Sequence, residues 1–167
     1  FRQALSCDKI QGASEWRTRQ IYFAHFAVTD TGEQQFFSDL RMNRHSLGVA
    51  GASSVPYQVW VDQWRAEEVP GKGVRLTADS KGVSLSLLLT DTGRLILQGD
   101  EGFSRKGNQT YNASHYYSQP RLETTGSIKI GSESYAVSGL SWFDREWSTG
   151  VLDEDVTGWD WFSVHFD

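Results

Sequence analysis

Short runs in which apolar and polar residues alternate, broken by turn-forming residues at intervals of about ten, constrain this chain to an all-β fold. The pattern is clearest in the middle. Residues 74–78 and 83–90 flank the turn Asp79-Ser-Lys-Gly82, and Asp91-Thr-Gly93 leads into residues 94–98. Residues 19–30 place Ile21, Phe23 and His25 on one face and Tyr22, Ala24, Phe26 and Val28 on the other. Thr29-Asp-Thr-Gly32 then turns the chain, and residues 34–42 return as a hairpin partner. Residues 1–5 read as the tail of a strand and 8–15 as a polar loop. Residues 57–66 read as one strand that sets Val59 and Val61 against Trp60, Asp62 and Trp64. The small residues of 46–56 read as a connector closed by Pro56, and 39–50 is the single stretch with weak helical periodicity. Residues 100–114 form the longest irregular segment, and 122–130 and 135–137 supply further strands. Antiparallel strands of this spacing close as a sandwich or a barrel, here as one domain over residues 1–167.

Composition narrows the partners. With 38% hydrophobic and 13% aromatic residues, the chain has ample material for a packed core. Its formal charge of -5 leaves no basic stripe to neutralise phosphates, so nucleic acid is not a natural partner and a small ligand fits better. Cys7 is the only cysteine, which rules out an internal disulfide. No apolar run approaches the roughly 20 residues a membrane-spanning helix needs. Serine-hydrolase elbows, phosphate loops and zinc motifs are absent from the sequence. The acidic loop at 153–158 begins like a calcium loop, but the twelfth position is Val164 where a Glu is required. Asn108-Gln-Thr and Asn112-Ala-Ser are formal glycosylation acceptors of a kind that arises by chance in Ser/Thr-rich loops. Phe1 and the closing His165-Phe-Asp167 read as the edges of an excised piece, truncated at both ends.

The chemistry concentrates near the C-terminal end. Four of the seven tryptophans fall in Ser141-Trp-Phe-Asp-Arg-Glu-Trp-Ser148 and Gly158-Trp-Asp-Trp-Phe162, interleaved with Asp144, Glu146 and Asp160. As a strand, residues 141–148 set Trp142, Asp144 and Glu146 on one side and Phe143, Arg145 and Trp147 on the other. An aspartic acid held on a face where water is scarce keeps its proton and can donate it near neutral pH. The competing reading pairs both acids with Arg145 or other basic residues at the surface while the tryptophans fill a core. His115 and Tyr117 share a face of their own strand, either as an ionisable pair or as an ordinary packed pair. His25 and His165 read as satisfied core histidines and His45 as exposed.

These strings resemble a family. Ile21-Tyr-Phe-Ala-His-Phe26, the run from Leu97 to Lys106, Ala113-Ser-His-Tyr-Tyr-Ser-Gln-Pro-Arg-Leu122, Ser141 to Trp147 and Gly158 to Phe162 are similar to AttH-like and carotenoid 1,2-hydratase-like proteins, in the same order along nearly the whole chain. The resemblance implies an antiparallel lipocalin-like (calycin) barrel, the first of two such domains in the intact protein. It implies a hydrophobic, lipid- or isoprenoid-like ligand in an aromatic-lined barrel, with Trp60, Trp64, Trp159 and Trp161 as lining candidates. In the hydratase branch, the acid that protonates an isolated carbon–carbon double bond corresponds to Asp144, and its helpers to His115, Tyr117 and Trp142. Here the helpers depart from the family pattern, which carries Trp at the Tyr117 position and Tyr at the Trp142 position.

The mechanism so implied needs no metal or cofactor. Asp144 protonates the alkene, Trp142 and Tyr117 stabilise the carbocation, and water activated by His115 or by the new carboxylate adds. The alternatives are a carrier that holds an apolar molecule unchanged and a cyclase that folds a polyene by shape alone. The resemblance also implies a periplasmic, envelope-associated or secreted bacterial protein.

Overall fold

A computed structural model describes residues 1–5, 19–109, 111–148, 158 and 160–165. The polar loop at 8–15, Cys7, the acidic loop at 153–157 and Trp159 lie outside the described residues. Within them every regular element is a strand: β1 Arg2–Leu5, β2 Gln20–Asp30, β3 Gln35–Arg44, β4 Ala50–Ser54, β5 Tyr57–Val61, β6 Trp64–Val69, β7 Gly73–Ser80, β8 Val83–Thr90, β9 Ile96–Leu97, β10 Phe103–Arg105, β11 Ala113–Ile130 and β12 Glu133–Trp147. No helix among them is long and apolar enough to cross a membrane.

The chain divides into two compact units. The first comprises Phe1–Leu89 and Thr124–Ser138. In it β1, β2 and β3 form one antiparallel sheet, while β4 to β8 run as an antiparallel meander whose β8 edge is taken by the second half of β11. Turn chemistry sets the register. The Asp30 carboxylate accepts the Gly32 and Glu33 amides at 3.0 and 3.1 Å, closing the β2–β3 hairpin. At Lys81-Gly82 both residues take positive φ, 49° and 83°, as the tight turn between β7 and β8 requires. Gly126 of β11 passes so close to β8 that a Cβ there would collide with the Ser86 carbonyl.

Alternation decides what is buried. On β2 the face of Tyr22, Ala24 and Phe26 joins Ala50, Val61, Trp64 and Val83 in the core. Trp64 anchors it: the indole is 1% exposed, its ring lies 5.6 Å from that of Phe26, and its Nε1 donates to the Asp79 carbonyl at 2.9 Å. The Arg41 guanidinium covers the ring at 4.4 Å. The Tyr22 hydroxyl donates to Gln20 at 2.9 Å and accepts from Gln3 at 2.8 Å, which satisfies a polar tip on a buried ring.

Burial holds the Tyr22 phenol above its ordinary ionisation range, because the phenolate would lose its hydration. The folded state therefore favours the neutral form. Its contribution is complete below about pH 10 and is lost as pH rises through the folded value. Tyr22→Phe should lower stability at neutral pH by about 1 kcal/mol, the scale of its lost hydrogen bonds. It should also flatten the alkaline decline of the urea midpoint.

Several local expectations need correction. Residues 57–66 are two strands joined at Asp62-Gln63, with Asp62 at φ 55°. The turn reverses the parity, so Trp64 pairs with Val61 and joins the core, while Trp60 pairs with Arg65 on the opposite face. Residues 46–56 contain β4, and 39–50 are strand and turn where a short helix was the expectation. The 100–114 segment contains β10, and the strands at 122–130 and 135–137 are parts of the much longer β11 and β12. His25 is exposed, on the outward face of β2, and does not belong to the core. Residues 160–165 carry no strand pairing. Asn112 is 3% exposed, so it offers no surface to a glycan.

Candidate functional site

The second unit comprises Thr90–Glu123 and Gly139–Asp167. Within it the first half of β11 pairs with β9, with β10 and with β12. The even-numbered residues Ser114, Ser118, Pro120 and Leu122 are the buried side of β11. Asp144 and Glu146 of β12 face that same side, since Ser114 Oγ donates to Glu146 at 2.6 Å and Ser118 Oγ donates to Asp144 Oδ1 at 2.5 Å.

Asp144 is the centre of a chain of donors. Trp142 Nε1 gives a second hydrogen bond to the same Oδ1 at 2.8 Å, and Gln98 Nε2 donates to Ser118 Oγ at 3.0 Å. Ser118 is fully buried, so its hydroxyl has one geometry in which both neighbours are satisfied. Oδ1 accepts twice, whereas Oδ2 has no protein partner among the described residues. Oδ2 is therefore the oxygen of this carboxyl group left open to a ligand. The Trp142 ring is stacked on His165 at 5.7 Å and 24° and meets Trp161 edge-on at 6.2 Å and 86°. Trp161 is about half exposed and donates to the Tyr116 hydroxyl at 3.2 Å. Glu146 is held by Lys106 at 2.7 Å, and that ammonium also lies 5.1 Å from the Tyr116 ring.

The structure thus brings Trp142 to Asp144 but does not bring His115 or Tyr117 to it. His115 stacks on Trp147 at 5.5 Å and meets Phe103 at 6.2 Å, and Tyr117 packs against Phe143 and Trp147, each at 6.3 Å. Those rings occupy the opposite side of the β11–β12 pair, so the sheet separates them from the carboxylate. Trp60 and Trp64 belong to the first unit. Trp60 lies over Gly51, where an added Cβ would come within 2.6 Å of the ring, and its Nε1 donates to the Gly48 carbonyl at 2.9 Å. Trp64, buried in the core, presents no open face to a ligand. Ser118, Gln98 and His165 had no sequence signal that tied them to Asp144. Among the described residues no three metal-ligating side chains converge.

An antiparallel fold built of strands alone among the described residues fits a lipocalin-like domain. The chain belongs to the AttH-like family, whose profile matches residues 1–167. A crystal structure from Nitrosomonas europaea assigned to AttH is 32% identical, with a TM-score of 0.75 over 86% of this chain and 45% of that one. The dehydratase asqC of Emericella nidulans is 27% identical over 95 residues, which is 55% of this chain and 25% of the relative. The chain spans a quarter of the length of that curated relative and under half of the solved one.

Proposed function

We propose that this domain binds an apolar, lipid- or isoprenoid-like molecule and that Asp144 exchanges a proton with carbon in adding water to, or removing it from, a carbon–carbon double bond. The observation that carries this reading is the arrangement at Asp144, with Oδ1 tied by Ser118 and Trp142 and Oδ2 left without a protein partner. Trp142 and Trp161 supply aromatic surface beside the acid, suited to an alkene and to the cation its protonation creates. Hydration and dehydration share one transition state, and the name of the Emericella nidulans relative supports chemistry of this class. Residues 1–167 act as one lipocalin-like domain, with a second such domain in the intact protein, in the bacterial envelope or outside the cell. The twofold greater length of the solved AttH relative supports that arrangement.

The test uses squalene, whose double bonds are isolated and trisubstituted, incubated with the intact protein in ¹⁸O-water. Mass spectrometry of the extract should find an alcohol carrying ¹⁸O. Recovery of bound, unaltered squalene alone would make the domain a carrier, and an isomer without added oxygen would make it a cyclase.

A further inference from the structure

Addition of water needs a base as well as an acid, and the rings expected to help Asp144 lie across the sheet from it. On Asp144's own side, Glu146 is committed to Lys106 and Ser114. His165 is differently placed. Its Nε2 lies 2.7 Å from the Pro120 carbonyl, which can only accept, so Nε2 carries the hydrogen and in the neutral ring Nδ1 carries the lone pair. Nδ1 has no protein partner among the described residues, and the side chain is exposed to solvent. The ring is held parallel to Trp142, whose Nε1 is bonded to Asp144. One indole therefore orients both a half-buried acid and a solvent-exposed base.

We propose that His165 is the base that takes a proton from water in the reaction Asp144 initiates, an inference that rests on Asp144 being the acid. Asp144 Oδ2–H gives its proton to one alkene carbon, and the π pair forms the new C–H bond. Water oxygen bonds to the carbocation at the other carbon while one of its protons passes to His165 Nδ1. The imidazolium releases that proton to solvent, and solvent reprotonates Asp144, so the net change is alkene plus water to alcohol. Dehydration runs the same steps backwards, with His165 protonating the departing hydroxyl.

Two variants separate a base from a prop. His165→Gln keeps a donor for the Pro120 carbonyl but has no basic nitrogen, and it should lower the squalene hydration rate by about 10²–10⁴-fold. His165→Ala should lose a similar factor and regain activity in proportion to added imidazole, which a merely structural role would not allow. Long-range ¹H–¹⁵N spectra of the free protein should show His165 as the Nε2–H tautomer. Full activity of His165→Gln beside an inactive Asp144→Asn would overturn the base and leave the acid standing. Failure of imidazole to rescue His165→Ala, or an Nδ1–H tautomer, would overturn it equally. Absence of any hydration by the unmodified protein would remove the acid reading and this inference together.

Discussion

Asp144→Asn should abolish water addition while leaving the fold in place, a loss of at least about 10²–10⁴-fold measured as ¹⁸O-alcohol formed from squalene. The asparagine carbonyl oxygen can take the position of Oδ1 and still accept from Ser118 Oγ and Trp142 Nε1. The amide nitrogen then stands where Oδ2 stood and offers no acidic proton. Because the buried Ser118 hydroxyl keeps its acceptor, thermal stability should change by no more than about 1 kcal/mol. Asp144→Leu is the informative contrast. It removes the acid and also orphans the Ser118 hydroxyl and the Trp142 N–H, so it should cost stability as well as turnover. Ser118→Ala leaves the acid chemically intact but loosens Oδ1 and deprives Gln98 of its acceptor. The expected result is a smaller loss in kcat with little change in KM, because the carboxyl group is then free to turn. Full turnover by Asp144→Asn would end the acid role.

What the sequence made legible follows from which physical signals are local. Period-two alternation identified β2, β3, β7 and β8 and placed Trp142, Asp144 and Glu146 on one side of β12, because that pattern is written in consecutive residues. The hairpin at Asp62-Gln63 was hidden, since two polar residues continue an alternating pattern, and neither glycine nor proline marks the turn. β4 was hidden because Ala50–Ser54 has no apolar alternation of its own and is paired through contacts with β5. The face shared by Asp144 was hidden for a deeper reason. Parity along β11 separates Ser118 from His115 and Tyr117, but only the register across the β11–β12 hairpin decides which parity meets Asp144. His165 lay further from inference still, because an irregular segment has no period from which to read a neighbour.

Trp64→Ala should be the most destabilising single change in the first unit, lowering unfolding free energy by about 3–5 kcal/mol. Several losses coincide there. The indole is 1% exposed, packs on Phe26, donates to the Asp79 carbonyl and carries the Arg41 guanidinium on its face. Alanine would leave a cavity between β2 and β6, remove one of the two side-chain donors to the Asp79 carbonyl, which keeps Arg41 Nη2 at 3.0 Å, and take away the ring against which the guanidinium packs. Trp60→Ala deletes the same side chain from the opposite face of the hairpin, where the ring is half-buried and packs over Gly51. Its cost should be on the order of 1 kcal/mol. Since domains of this size are stable by about 5–15 kcal/mol, the first change should remove a large share of the total and the second a small one. Urea titration of the two variants measures the difference directly. Equal midpoints would mean that Trp60 and Trp64 share one environment, as a continuous strand over 57–66 would require and the turn at Asp62 forbids.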